Sequence, residues 1–210
     1  HCAGTVGGST YGVASRATLV AVKVLDAEGS GSNSGVIAGI QWVADNARAK
    51  GITSKSVLSM SLGGSYSAAL NSAVASTVNA GVTVVVAAGN DNRNAANYSP
   101  ASAPSAITVG ATDSRDARAS FSNYGAVLDI FAPGVNILSA WIGSSSATNT
   151  ISGTSMATPH VAGLAAYLIG LEGLTSPSAV ASRISSLATR NVVSNPSGSI
   201  NALAYNGNGA

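Results

Sequence analysis

An α/β fold, a doubly wound and mostly parallel sheet with helices on both faces, is what this 210-residue sequence predicts. Short β-branched runs alternate with segments of helical period, and the run VTVVVAAG (82–89) is almost wholly apolar. Strands buried on both faces of a parallel sheet read that way. The length suits one domain, taken as residues 1–210, with a sizeable core.

Taken in order, ATLVAVKVL (17–25) is short and β-branched and predicts a strand. SGVIAGIQWVADNARAK (34–50) places Val36, Ile37, Ile40, Val43, Ala44 and Ala47 at helical spacing, and Gly51 stops it. SVLSMSL (56–62) predicts a strand, SAALNSAVASTVNAG (67–81) an Ala-rich helix ended by glycine, and 82–89 the buried strand. A polar, Pro-containing loop follows at 90–105, then short strands near 106–111 and 127–131. Residues 153–173 predict a loop entering a long helix, and 177–189 a further helix with proline in its first turn. In such sheets sites gather at the carboxyl ends of strands, which singles out the loops after Leu62, Gly89 and Ser152.

Composition narrows the function. Charged residues make up only 9% of the chain and the net charge of +2 is scattered, with no basic run to follow a phosphate backbone, so nucleic acid is not an expected partner. The longest apolar stretch, MATPHVAGLAAYLIGL (156–171), contains Pro159 and His160, falls short of a bilayer span of roughly 20 residues and reads as a buried helix. No membrane association is expected. Cys2 is the single cysteine, which excludes an internal disulfide and a Cys-rich zinc site. No charged and apolar leader opens the chain, which implies a removed leader or a fragment.

Four places can carry chemistry. In SGTSMATPHVAG (152–163), Ser155 lies near a helix start, where backbone N–H groups point outward; a capping role for Ser152, Thr154 or Ser155 is the plainer alternative. Ala157 stands where a nucleophile elbow needs its last glycine. Asn90 ends the 82–89 strand as a carboxamide donor able to meet an oxyanion, or as an ordinary turn residue. SLGG (61–64) ends another strand with glycine, leaving an edge for an extended peptide to pair with, or is a common strand-to-loop transition. Asp129 is a loop-capping carboxylate or a calcium ligand. His160, five residues after Ser155 on the same helix, faces elsewhere and reads as a packed histidine. Asn97-Tyr98-Ser99 is a glycosylation sequon.

Taken together, HCAGTVGG, VKVLD, SMSLGG, VVVAAGN, NYSPAS, SFSNYG, DIFAPG and SGTSMATPHVAGLAAYL resemble the subtilisin-like serine proteases, nearest to their proteinase K-like fungal branch. The resemblance runs in order over almost the whole chain. It implies a serine endopeptidase with Ser155 as nucleophile and its own N–H and the Asn90 side chain as oxyanion donors. It also implies that Ser61, Leu62 and Gly63 pair with one side of an extended substrate, and Gly29, Ser30 and Gly31 with the other. Ala87, Ala88 and Gly89 would wall an apolar pocket with Tyr98 near its base, giving an aliphatic and aromatic preference. A calcium ion would take the carbonyls of Pro104 and Ala106 and the carboxylate of Asp129.

The same resemblance exposes a departure. The family motif runs His-Gly-Thr-His-Cys-Ala-Gly-Thr with the general base first, whereas this chain opens on the second histidine. His1 is then expected to pack or hydrogen-bond, Cys2 to be a buried free thiol, and two triad members and the first strands to lie outside these residues. Alone, the chain is expected to be inactive. Protein or peptide substrates, a monomer, and a secreted or vacuolar location are what the resemblance implies. The alternative is a non-catalytic peptide-binding relative that begins at His1.

Overall fold

The computed structural model describes residues 1–208. A short helix α1 (Cys2–Gly7) precedes an irregular stretch, and α2 (Asn33–Ala49) follows, its first turn capped where Gly35 N–H donates to Ser32 Oγ. Then come β1 (Val57–Met60), the short β2 (Gly64–Ser65), α3 (Ala68–Asn79), β3 (Thr83–Ala87) and the short β4 (Tyr98–Ser99). β5 (Ile107–Thr112), β6 (Ile130–Pro133) and the hairpin β7 (Ile137–Ala140) and β8 (Thr148–Ile151) lead to the long helix α4 (Thr154–Glu172). The chain closes with α5 (Pro177–Leu187), β9 (Thr189–Arg190) and β10 (Ala202–Leu203).

The main sheet has the order β1-β3-β5-β6-β10-β9. All neighbours in it are parallel except β10 and β9, so the mostly parallel sheet read from the sequence is present. Alternation along β3 shows why its run is apolar throughout. Val85 packs with α4 and α5 residues such as Val161, Leu168 and Ile184, while Val84 and Val86 pack with Val36, Ile40, Leu70 and Val74 of α2 and α3. Both faces are covered by helices, the condition a parallel sheet requires. Leu168 and Val85 are 1% and 0% exposed, so truncating either opens a cavity at the centre.

Helix α4 forms the middle of the larger core cluster, with Val161, Ala162, Ala165 and Leu168 among its buried residues. It is apolar on nearly every side, as a helix enclosed by protein is. Gly173 ends it in the left-handed conformation (φ 66°, ψ 32°), donating its N–H to the Ile169 carbonyl. Among the described residues no single helix is long and apolar enough to cross a membrane.

One element departs from expectation. Residues 17–25 form no strand; Leu19 and Val20 are 46% and 58% exposed, and the segment joins no ladder. β-Branched composition favours extended backbone but does not supply a neighbouring strand, and β1 pairs only with β3. Val22 and Val24 instead lie against α2, where a Cβ on Gly39 would meet both side chains.

Candidate active site

β1 and β3 are neighbours in register, Met60 opposite Val86, so the segments leaving their carboxyl ends emerge side by side. One carries Ser61, Leu62 and Gly63, the other Ala88, Gly89 and Asn90. β2 and β4 pair antiparallel, Gly64 opposite Ser99 and Ser65 opposite Tyr98, which brings Tyr98 to the same place. The N-terminus of α4 meets these segments. They enclose a cavity of about 440 Å³ bordered by Leu62, Gly63, Ala87, Ala88, Gly89, Asn90, Tyr98 and Ser155, together with Thr154 and Ala101. This is the carboxyl-end location expected for an α/β sheet.

The first turn of α4 explains the position of Ser155. Gly153 is the N-cap and no side chain of the Ser152–Ser155 stretch caps the helix, contrary to the plainer reading of these hydroxyls. The cap comes from another loop: Asn90 Oδ1 accepts the Thr154 N–H (2.8 Å) and the Thr154 hydroxyl (2.9 Å). Gly153 O accepts the N–H groups of Met156 (3.0 Å) and Ala157 (3.4 Å). Of the four N–H groups a helix start leaves over, that of Ser155 alone keeps no partner among the described residues.

Pro159 sets the other side of Ser155. A proline four residues on cannot donate to the Ser155 carbonyl, which is left without a helical partner. That carbonyl accepts instead from Ser61 Oγ (2.8 Å) and Cys2 Sγ (3.1 Å), joining the α4 start to the end of β1 and to α1. The Ser155 hydroxyl itself makes only a 3.5 Å contact, to the Ser61 carbonyl. Cys2 is half-buried rather than buried, with its sulfur bonded at this junction.

With Oδ1 of Asn90 occupied twice by Thr154, its amide orientation is fixed, and the NH₂ end has no acceptor among the described residues. Thr154 is fully buried and also receives the Gly89 N–H (3.2 Å). Sequence reasoning treated Thr154 only as a possible cap. Its role as the clamp on Asn90 depends on a contact across 64 positions, for which the sequence carries no local signal.

The other candidates fall in different places. Gly29, Ser30 and Gly31 lie outside the cavity lining, in an exposed turn where Asp26 Oδ1 accepts from Ser30 N–H (2.8 Å) and Glu28 N–H (3.0 Å). His1 Nε2 lies 2.9 Å from the Ile137 carbonyl and 3.1 Å from that of Asn149, holding the β7–β8 hairpin, and its ring meets Trp141 edge-on at 6.1 Å. His160 Nδ1 donates to the Met156 carbonyl at 2.8 Å, and burial lowers its pKa below 6.5. Asp129 Oδ2 accepts the Thr108 N–H (2.8 Å). Its carboxyl pKa is raised above 3.8, chiefly by desolvation, although the residue keeps an exposed side. The nearby Ser105 Oγ, between Pro104 and Ala106, is buried without a partner. Among the described residues there is no group of three or more His, Cys, Asp or Glu side chains suited to a metal.

Residues 1–205 match the Subtilase family. The chain is 73% identical over 210 residues to subtilisin-like protease 2 of Pseudogymnoascus destructans, covering 100% of this chain and 52% of that protein. It is 59% identical over 208 residues to the cuticle-degrading protease of Metarhizium anisopliae, covering 99% of this chain and 53% of the relative. The chain therefore spans about half the length of the curated relatives it matches. A crystal structure of a cold adapted subtilisin-like serine proteinase superposes with a TM-score of 0.92 at 50% identity, over 98% of this chain and 73% of that one. With a family match over nearly its full length and a fold shared at that level, the chain belongs to the subtilases, a family of serine endopeptidases, and stands among their fungal, proteinase K-like members.

Proposed function

We propose that the full-length protein containing this chain is a secreted serine endopeptidase that cuts protein substrates, with Ser155 as its nucleophile. The observation that carries the reading is the Ser155 hydroxyl on a helix start whose own N–H is free, bordering the same cavity as the fixed Asn90 amide. Ser155 Oγ attacks the substrate carbonyl carbon. Its N–H and Asn90 Nδ2 then donate to the oxygen as it gains charge, so that the site is complementary to the tetrahedral state.

A hydroxyl needs a base within hydrogen-bonding reach to lose its proton. Both histidines of this chain bond elsewhere, His1 to the hairpin carbonyls and His160 to Met156; the family resemblance implies that the base and the carboxylate that orients it are carried by polypeptide outside these residues. That base takes the Ser155 proton and returns it to the leaving amine. The segment Ser61–Gly63 pairs with the extended substrate on one side, and Gly29–Gly31 on the other. The side chain before the scissile bond enters the cavity walled by Ala87, Ala88 and Gly89, with Tyr98 at its base, favouring aliphatic and aromatic residues.

The resemblance implies calcium held by Asp129 with the Pro104 and Ala106 carbonyls, an all-oxygen donor set that suits the ion, and no cationic side chain pairs with Asp129 among the described residues. When bound, the ion supplies the counter-charge this carboxylate is missing.

In the full-length protein, Ser155→Ala is expected to lower kcat for a peptide anilide by a factor on the order of 10⁶, and a phosphonofluoridate is expected to transfer its phosphonyl group to Ser155 alone, with fluoride leaving. Unchanged hydrolysis by the alanine variant removes Ser155 from the chemistry. Peptide binding without hydrolysis by the unmodified protein favours a binding module instead.

A further inference from the structure

The loop that carries Asn90 is irregular backbone, yet its hydrogen bonds converge on one side chain. Asn123 is 0% exposed and lies on the connection between β5 and β6. Its Oδ1 accepts the N–H groups of Asp91 (3.0 Å) and Arg93 (3.0 Å), and its Nδ2 donates to the Ala88 carbonyl at 2.9 Å. Its own N–H donates to the Gly89 carbonyl at 2.9 Å. These four bonds grip the chain on both sides of Asn90 and leave Asn90 itself untouched. Gly89 adopts φ +103°, and a Cβ there would collide with Asn123 Nδ2, so the loop path and the asparagine fit each other closely.

Two clamps therefore act on Asn90. Thr154 fixes the orientation of the amide, and Asn123 fixes the backbone that carries it. Asn123 does not border the cavity and cannot touch substrate. We propose that Asn123 is a positioning residue for the oxyanion donor, setting where Asn90 Nδ2 stands relative to Ser155. The proposal rests on reading Asn90 as that donor.

The physical reason for expecting a kinetic effect is the geometric tolerance of such donors. A hydrogen bond aimed at a developing oxyanion is strong only when preorganised, and a displacement of about 1 Å can cost on the order of 10²-fold in rate. Losing the Asn123 side chain frees the Asp91 and Arg93 N–H groups and the Ala88 carbonyl together. The loop then samples positions in which Nδ2 no longer meets the oxyanion. The ground-state complex, which does not yet carry that charge, is little affected.

The test is a double-mutant cycle in the full-length protein with Asn90→Ala, Asn123→Ala and both, each kcat normalised to active sites counted with a phosphonofluoridate. Asn123→Ala is expected to lower kcat by about 10- to 100-fold with KM changed by less than about threefold. The double variant is expected to be no slower than Asn90→Ala alone, because the donor being positioned is already gone. If the two losses multiply, or if Asn123→Ala raises KM and spares kcat, the positioning role is overturned while the oxyanion role of Asn90 stands. If Asn90→Ala keeps full kcat, both fall. Asn123→Asp, which keeps both accepted bonds and replaces the donor to the Ala88 carbonyl by an oxygen, supplies the same cycle if the alanine variant gives too few titratable sites, with a loss of the same non-additive kind.

Discussion

Two stretches of irregular backbone, the 88–93 loop with Ala88–Asn90 and the 17–31 arm with Gly29–Gly31, each carry residues that the resemblance puts near an extended substrate, and the molecule builds them in opposite ways. The first leaves a strand buried on both faces and is cross-bonded by Asn123 and Thr154 from two distant parts of the chain. The second has Leu19 and Val20 facing solvent, no ladder partner, and a turn at 26–30 closed by its own Asp26. An apolar, β-branched sequence becomes a strand when a neighbour supplies the ladder. A loop without regular structure becomes rigid when buried side chains take up its amides.

Four measurements would sharpen or break that contrast. Leu168→Ala, in the core behind the assembled side, is expected to cost about 2–5 kcal/mol in denaturant unfolding, and a smaller loss would mean the α4 side is less tightly packed than its burial implies. Asn90→Ala is expected to lower kcat about 10²–10³-fold in the full-length protein, measured on a peptide anilide.

A smaller effect separates calcium from protons. The Asp129 carboxyl has a folded pKa raised above 3.8, so burial penalises its charged form. That penalty is absent below pH 3.8 and complete above the raised folded value. Removing calcium should therefore lower Tm more near pH 7, where the carboxylate is charged, than at acid pH where it is protonated, and Asn in place of Asp129 should abolish the difference. The smallest effect belongs to the arm. Val20→Ala is expected to change the stability of this chain by less than about 0.5 kcal/mol, and amides of 17–25 should exchange far faster than those of 83–87.

Periodicity placed α2, α3, β3, α4 and α5 within a few residues, because burial of one or both faces writes itself into local spacing. The places of Ser155 and Asn90, at a helix start and a strand end, were legible; their proposed roles came from the family resemblance. The residues that hold them were not legible. Asn123 reaches back 30 to 35 positions to the loop it braces, and nothing in SFSNYG marks it off from a turn asparagine. The strand expected at 17–25 failed for a related reason: pairing is a property of two segments, and the sequence of one does not report the other.

Pro159 separates two motions that a helix ordinarily couples. By releasing the Ser155 carbonyl from the helical ladder it lets Ser61 and Cys2 hold that residue's main chain from outside, while the hydroxyl keeps only a long contact. If Ser155 is the nucleophile proposed above, its side chain can then change rotamer through an attack and its reversal without loosening the turn that carries it. Restoring a donor, as in Pro159→Ala, would offer that carbonyl a third partner and set helix continuity in competition with the anchor.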